Sequence, residues 1–182
     1  MSDQPSDATR QAPSLAPSYP LCEIFSSIQG EGSWSGRAMT FVRVWGCPLL
    51  CSWCDEPKHR NPNAMQHYSL ANLLQKIALQ AQGEPNVLLT GGEPLALTGL
   101  ERLVQGLKKA GYWIAMETSG IGGRPPAQLD WITLSPKRHA PPPQALFKVA
   151  DEIKYVVDQN PPPEWLHEIH SRSQAHANVW VQ

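Results

Sequence analysis

The sequence has few cysteines, almost no net charge and no long hydrophobic run. Only four of its 182 residues are cysteines, at positions 22, 47, 51 and 54, and this spacing does not form the disulfide framework of a secreted protein. Fifteen Lys and Arg residues oppose 16 Asp and Glu residues, so the formal net charge of -1 gives no overall field for attracting nucleic acid or an anionic membrane. No apolar run approaches the roughly 18 residues that a membrane span requires. We expect a cytoplasmic protein with neither a membrane nor a nucleic-acid partner.

The N-terminal segment also lacks the continuous apolar core of a signal peptide. Proline is abundant instead: 18 prolines cluster near the N-terminus and at residues 125–126, 141–143 and 161–163, where they predict stiff connections. A chain of 182 residues is long enough to bury one hydrophobic core without disulfides. We therefore expect residues 1–18 to be a disordered tail and residues 19–182 to form a single domain.

Short apolar runs of the kind that form buried strands alternate with helical patterns along the domain. The predicted strands are residues 39–46, 86–92, 112–120, 131–137, 151–157 and 178–182. Strands separated by helices predict a parallel sheet with right-handed crossovers, either doubly wound or closed into a barrel. Six such units in a chain of this length favour a partial β/α barrel with six parallel strands.

Three helices are predicted from their caps and their apolar spacing. Ser69 caps a helix whose apolar residues repeat from residue 70 to residue 81 at i, i+3, i+4 and i+7. A second helix has Thr98 as its N-cap, with Glu101 at capping-box spacing, and ends at Gly111. A third begins near Pro163. Its predicted buried residues are Trp165, Leu166 and Ile169.

Polar and unusual residues follow four of the predicted strands. They are Cys47, Cys51 and Cys54; Gly91-Gly92-Glu93-Pro94; Glu117-Thr118-Ser119-Gly120; and Ser135-Pro136-Lys137. Because the carboxyl ends of parallel strands meet at one edge of a sheet or barrel, we expect these residues to share a single site.

The spacing Cys47-x3-Cys51-x2-Cys54 is the strongest chemical signal. By itself it is compatible with a zinc site completed by His59 or His67, with a CxxC redox pair and a spare thiol, or with a four-iron four-sulfur cluster. A cluster on three thiolates leaves one iron without a protein ligand. Such an iron can chelate the amino and carboxylate groups of S-adenosylmethionine.

With Trp53 directly before the third cysteine, this motif resembles that of the radical S-adenosylmethionine superfamily, whose fold is a full or partial β/α barrel. Gly91-Gly92-Glu93-Pro94 matches the superfamily's motif for the methionine amino group, and glycines let backbone carbonyls approach a ligand closely. The resemblance implies a [4Fe-4S] cluster on Cys47, Cys51 and Cys54, with S-adenosylmethionine as the second cofactor.

A further resemblance narrows the family. Residues 23–32 and Arg43, within FVRVWGC, are similar to the 7-carboxy-7-deazaguanine synthase family of queuosine biosynthesis, and the similarity runs from about Tyr19 to Gln182. In that family the adenosyl radical takes a hydrogen from C6 of 6-carboxy-5,6,7,8-tetrahydropterin, the ring contracts, ammonia leaves and S-adenosylmethionine is regenerated. The resemblance implies this pterin as substrate, a flavodoxin or ferredoxin as electron donor, and a homodimer.

The same resemblance implies roles for individual residues, none of them a protein acid or base. The pterin would be bound by Ile28, Gln29, Gly30, Glu31, Arg43 and Thr90. S-adenosylmethionine would be bound by Trp53, Cys54, Asp55, Gly91, Gly92, Glu93, Glu117, Ser135, Pro136 and Lys137. These residue types suit the chemistry, because Arg offers a planar fork to a carboxylate and Gln and Glu can pair with the edge of a pterin. Taken singly, Arg43 is also compatible with a salt bridge at the barrel end, and Lys154 with either an inward position or the wet end of its strand.

Two features depart from the family pattern. A threonine that coordinates magnesium often follows Cys-Asp in the family, whereas Glu56 stands at that position here; a carboxylate also suits magnesium, so we predict that Glu56 is the ligand. The chain stops at Gln182, where family members continue, so we expect part of the adenosine pocket, of the substrate contacts and of the dimer surface to be missing. Two alternatives remain open: an activating enzyme that places a glycyl radical on a partner protein, and a non-catalytic zinc-binding module.

Overall fold

The computed structural model describes residues 18–157 and 159–182. The tail predicted for residues 1–18 lies outside the described residues, except for Ser18. Eight strands are present in this part of the chain: β1 (Tyr19–Ile28), β2 (Ala38–Val44), β3 (Gln66–Tyr68), β4 (Asn86–Gly91), β5 (Trp113–Thr118), β6 (Trp131–Leu134), β7 (Glu152–Tyr155) and β8 (Val179–Val181). The α-helices are α1 (Leu70–Ala81), α2 (Leu100–Lys109), α3 (Gln144–Phe147) and α4 (Pro163–Ala175).

The strands form one sheet in the order β3-β1-β2-β4-β5-β6-β7-β8. Strands β2, β4, β5, β6, β7 and β8 are parallel, and they are the six strands predicted from the sequence. The predicted α/β class with a parallel sheet is therefore confirmed. The other two strands were not predicted: β1 pairs antiparallel with both β2 and β3 and extends the sheet to eight strands. The end of β1 is polar and exposed and β3 has only three residues, so neither produces a strong apolar run.

The connections are less regular than six repeated units imply. Helix α1 lies between β3 and β4, α2 lies between β4 and β5, and α4 lies between β7 and β8. Residues 119–130, which connect β5 to β6, contain no helix, and α3 is a single turn between β6 and β7. None of the helices in the described segments is long and apolar enough to cross a membrane.

The predicted helix caps and buried helix residues can be compared with the structure, and two of these predictions are wrong. The Ser69 hydroxyl accepts a hydrogen bond from the Asn72 N–H at 3.3 Å, which confirms the predicted cap of α1. Thr98 was wrongly predicted to cap α2, because Gly99, with φ of 81°, is the N-cap and makes no side-chain cap. Gly111 follows α2 as predicted. In α4 Trp165 and Ile169 are buried, but Leu166 is 49% exposed, since it lies about 100° around the helix from Trp165.

The sheet has an apolar face under the helices and a second face that becomes polar towards the carboxyl ends of the strands. The main core fills the space between the sheet and α1, α2 and α4. On the other face, Met39, Leu88 and Ala115 pack with four partly buried aromatic residues, Trp34, Phe41, Trp113 and Trp131. Side chains alternate between faces along each strand, so the next residues on this second face are polar. The second face therefore offers an apolar floor with polar groups above it.

The loop between β1 and β2, residues 29–37, crosses this second face. Trp34 packs edge-on against Trp113, with ring centroids 4.9 Å apart, and against Trp131, at 5.2 Å. The Ser33 N–H donates to the Glu152 carboxylate on β7 at 2.6 Å. Four strands separate β1 from β7 in the sheet, so this loop connects the two sides of the open barrel.

Candidate active site at the carboxyl ends of the strands

The carboxyl ends of β2, β4, β5, β6 and β7 border a pocket of about 600 Å³. Every residue predicted from the sequence to bind cofactor, substrate or metal lines this pocket, with Pro136 as the exception. Pro136 is buried beside a smaller cavity of about 160 Å³, which shares Trp53, Lys137 and Val156 with the large pocket. Residues up to 109 positions apart in the chain, from Ile28 to Lys137, therefore line one pocket, as expected for the carboxyl edge of a parallel sheet.

The three cysteines of the motif are free thiols, partly buried at the rim of the pocket. The Leu49 N–H donates to the Cys47 sulfur at 3.4 Å, and burial raises the pKa of this thiol. The sulfur of Cys51 lies 3.6 Å from Nε2 of His139, and the sulfur of Cys54 lies 3.4 Å from Nε2 of His59. Each thiol thus contacts a different neighbour.

The two histidines considered as zinc ligands are placed differently from each other. Among residues 18–157 and 159–182, no three His, Cys, Asp or Glu side chains come together in a way that could hold one metal ion. His67 lies on β3 at the edge of the sheet, where its Nδ1 is 2.9 Å from the Ser18 hydroxyl, and His59 contacts Cys54 alone of the three thiols. Of these two histidines, only His59 lines the pocket.

The glycines after β4 let that loop lie directly against the cysteine loop, residues 45–56. The Gly92 N–H donates to the Val44 carbonyl, and the Glu93 N–H donates to the Gly46 carbonyl, both at 2.9 Å. A Cβ on Gly92 would overlap the Gly46 carbonyl oxygen. Gly91 has φ of 113°, and a Cβ there would meet the backbone of Val44. The two loops predicted to hold the cofactors are thus fixed to each other by backbone contacts.

Glu93 braces this loop against the end of β5. Its carboxylate is 1% exposed and accepts hydrogen bonds from the backbone N–H groups of Leu95, at 2.9 Å, and Ser119, at 2.8 Å. The hydroxyls of Thr118 and Ser119 also donate to it. Burial raises the pKa of Glu93, although these hydrogen bonds oppose the effect. With all these contacts made inside the protein, Glu93 orients the loop more than it presents a free carboxylate to the pocket.

Glu117 connects residues that the sequence assigned to the pterin. It accepts hydrogen bonds from the Gln29 side-chain amide at 3.0 Å and from the Thr90 hydroxyl at 3.1 Å. The sequence assigned Glu117 to S-adenosylmethionine, but no signal in the sequence placed it beside these two residues.

Lys154 is the pocket residue that the sequence left undecided. It is 6% exposed and points inward, with its ammonium 2.6 Å from Glu31 and 3.3 Å from Glu117. Burial alone would lower the pKa of Lys154, but the two carboxylates raise it above its ordinary value of 10.5. The signal for this position was a lysine between the apolar residues Ile153 and Tyr155 of a buried strand.

Arg43 makes a salt bridge at the mouth of the pocket. Its Nε lies 2.8 Å from a Glu23 oxygen and 3.6 Å from a Glu56 oxygen. The Glu56 carboxylate also accepts the Lys58 N–H at 3.2 Å and so caps the short 3-10 turn Pro57–Arg60. Arg43 therefore lines the pocket and takes part in a salt bridge at the same time, and the two interpretations of this residue do not exclude each other.

Ser135 and Lys137, which follow β6, and several residues outside the predicted set also line the pocket. The Lys137 ammonium donates to the Ser135 hydroxyl at 2.7 Å, and burial lowers the pKa of Lys137. The pocket is also lined by Thr118 and Ser119, which were expected at this edge, by His59 and Lys154, which were considered, and by residues that were not predicted: Phe25, Ser27, Phe41, Leu49, Arg60, Val156 and Gln182. Phe25, Ser27 and Phe41 belong to the β1–β2 hairpin, which was missed because β1 was not predicted as a strand.

Comparison with known proteins agrees with this geometry. The family model described as the radical SAM superfamily matches residues 44–134, from the last residue of β2 to the end of β6. A 7-carboxy-7-deazaguanine synthase of Synechocystis sp. is 38% identical over 152 residues, which cover 83% of this chain and 71% of the relative. The chain belongs to the 7-carboxy-7-deazaguanine synthase family.

Other relatives agree with this family membership. The Haemophilus influenzae 7-carboxy-7-deazaguanine synthase is 36% identical over 149 residues, covering 80% of this chain and 67% of the relative. The crystal structure of QueE from Escherichia coli superposes with a TM-score of 0.70 at 28% identity, covering 87% of this chain and 76% of that one. The partial barrel, the radical S-adenosylmethionine class, and the [4Fe-4S] cluster and S-adenosylmethionine as cofactors follow from the family. The family also replaces the alternatives of a zinc module and of a glycyl-radical activating enzyme.

Proposed function

We propose that this chain converts 6-carboxy-5,6,7,8-tetrahydropterin to 7-carboxy-7-deazaguanine with loss of ammonia. The observation that carries the proposal is one pocket of about 600 Å³ in which the three-thiol loop meets Gln29, Glu31, Arg43, Thr90 and Glu117. When bound, the cluster and S-adenosylmethionine would supply the carbon radical that removal of a hydrogen from C6 of the substrate requires. The role of the protein is to hold the substrate at that point and to exclude other reactions.

The residues of the pocket suit a carboxypterin at each end. Arg43 is a planar donor that can exchange its salt bridge with Glu23 for one with the substrate carboxylate. Gln29 and Glu31, supported by Thr90 and Glu117, offer donors and acceptors to the polar edge of the pterin ring. The Phe25 and Phe41 rings, stacked with centroids 5.0 Å apart, add an apolar surface beside this edge.

On the cofactor side, three groups of residues would act together. Cys47, Cys51 and Cys54 would hold the cluster. The residues proposed for S-adenosylmethionine are Trp53, Cys54, Asp55, Gly91, Gly92, Glu93, Ser135, Pro136 and Lys137, with Glu117 nearer to the substrate. Glu56 would bind magnesium, which requires it to leave Arg43, 3.6 Å away. If Glu56→Ala leaves the magnesium dependence of turnover unchanged, that assignment is wrong.

The proposal also covers the domain organisation, the oligomeric state and the electron donor. Residues 19–182 would form one domain, the active form would be a homodimer, and a flavodoxin or ferredoxin would deliver the electron.

The direct test is turnover. Reconstituted protein is incubated without oxygen with reductant, S-adenosylmethionine and the carboxypterin, and mass spectrometry follows the product. The proposal expects a deazapurine that has lost ammonia, and no product from a Cys51→Ala variant. If the wild-type protein holds a cluster and cleaves S-adenosylmethionine but leaves the pterin intact, the proposed function is wrong.

A further inference from the structure

The β1–β2 loop is attached to β7 and β8 by two separate sets of contacts. The first set does not involve Lys154. The Ser33 N–H donates to Glu152, the Trp180 ring N–H donates to the Ser33 hydroxyl at 3.3 Å, and Trp34 packs on the apolar floor. Gly32, with φ of 65°, lies so close to Glu152 that a Cβ would overlap the carboxylate. The loop is therefore anchored without its salt bridge to Lys154.

The second set is electrostatic and faces the pocket. The Lys154 ammonium bridges Glu31, which comes from the loop, and Glu117, which comes from β5. Within the part of the chain that the structure describes, Lys154 is the buried cation that bridges two pocket carboxylates. The Glu31 side chain is 46% exposed, so one partner of this buried cation remains open to the pocket.

The shared ammonium changes the electrostatic interaction between the Glu31 and Glu117 carboxylates. Without the ammonium, Glu31 and Glu117 would repel each other, and one side chain would turn away. With it, their repulsion is offset and both carboxylates are held against one ammonium, at 2.6 Å for Glu31 and 3.3 Å for Glu117. Two fixed carboxylates are strong acceptors for the amino and ring N–H groups along the edge of a pterin.

We propose that Lys154 is a positioning residue for the substrate, which holds the Glu31 and Glu117 carboxylates in place as acceptors for the pterin edge. This inference rests on the proposed function and assigns to that site a residue that makes no contact with the reacting atoms itself. Its effect is on substrate affinity, while S-adenosylmethionine binding and the stability of the barrel depend on other contacts.

The test measures binding of 6-carboxypterin, the oxidised analogue, to reconstituted protein with S-adenosylmethionine and without reductant, by isothermal titration calorimetry from about pH 4 to about pH 8.5, which spans the ordinary pKa of Glu31. Lys154→Met should weaken the analogue about tenfold or more, since it removes a charge-assisted interaction from each acceptor. Lys154→Arg should retain most of the affinity. Lys148→Met, at an exposed lysine outside the pocket, is the matched control and should bind like the wild type.

The pH dependence separates positioning from simple loss of structure. The groups that face Lys154 are Glu31 from the loop, Glu117 from β5 and Lys137 from the segment after β6. Lys154 holds the pKa of Glu31 below its ordinary value of 4.5 against the effect of burial. In Lys154→Met, affinity should therefore begin to fall at a higher pH on the acidic side than in the wild type.

The outcomes divide as follows. Equal affinity and equal pH dependence of the wild type and Lys154→Met would overturn the inference and leave the proposed function intact. A parallel loss of S-adenosylmethionine and pterin binding in Lys154→Met would also overturn it, because the pocket as a whole would then be damaged. If the wild type itself fails to bind the analogue, the proposed function fails and this inference with it. Should Lys154→Met not fold, Lys154→Gln replaces it, and failure of both variants to fold would show that the residue is structural.

Discussion

The contact between the two cofactor loops can be tested by adding a single methyl group. In Gly92→Ala the new Cβ would overlap the Gly46 carbonyl oxygen, so the loop after β4 must move away from the cysteine loop. That movement breaks or weakens two backbone hydrogen bonds of 2.9 Å, from Gly92 to Val44 and from Glu93 to Gly46. A partly buried backbone group that loses its partner costs roughly 1–2 kcal/mol, so the two together predict a loss of about 2–4 kcal/mol in the free energy of unfolding.

For a domain of this size such a loss lowers the melting temperature by roughly 4–16 °C. Differential scanning fluorimetry measures it, and Gly30→Ala is the matched control, because a Cβ on Gly30 meets nothing within 4 Å. Gly92→Ala should melt well below Gly30→Ala and should bind S-adenosylmethionine more weakly. If the two variants melt within a degree of each other, the contact between the loops does not stabilise the fold, and the reasoning is refuted.

Three further predictions concern the cluster, the substrate carboxylate and acid stability. Cys51→Ala should lose its iron while keeping the wild-type circular dichroism spectrum, since the cysteine loop lies at the rim; retention of about four irons per chain would contradict this. Arg43→Ala should bind carboxypterin about tenfold or more weakly while S-adenosylmethionine cleavage without substrate persists, and an equal loss of both would remove the role given to Arg43. Lys154 lowers the pKa of Glu31 although burial opposes it, so the stabilisation from Glu31 is complete above its ordinary value of 4.5 and is lost as pH falls through the lowered pKa. The difference in melting temperature between the wild type and Glu31→Gln should accordingly shrink on acidification, and a difference that stays constant down to pH 3 would be inconsistent with this pairing.

The parts of the fold that the sequence predicted are those governed by local patterns. Most residues of β2, β4 and β5 are buried, so these strands are short runs dominated by apolar residues, and Ser69 caps α1 through a contact only three residues away. Strand β1 was missed because its last three residues, Ser26-Ser27-Ile28, are exposed and two of them are serines, and its pairing with β2 depends on where the chain returns after residue 37. The N-cap of α2 was predicted wrongly for a similar reason. The conformation of Gly99, which is the N-cap, depends on the path of the loop that precedes α2 after β4.

The site was predicted through topology more than through individual contacts. Since parallel strands bring their carboxyl ends to one edge, residues after several strands could be assigned to one pocket before their distances were known. The pairing of Lys154 with Glu31, 123 positions away, depends on the path of the β1–β2 loop across the barrel, and no local pattern encodes that path. The contacts of Glu117 with Gln29 and Thr90 likewise depend on where this loop lies, and the sequence did not predict them.

The most direct measurement follows one hydrogen atom. Carboxytetrahydropterin labelled with deuterium at C6 is incubated with the reconstituted, reduced protein and S-adenosylmethionine, and both the recovered S-adenosylmethionine and the product are examined by mass spectrometry. If the pocket directs the radical to C6, deuterium appears in the recovered S-adenosylmethionine while the deazapurine accumulates. Cleavage of S-adenosylmethionine with neither deuterium transfer nor product would contradict the account.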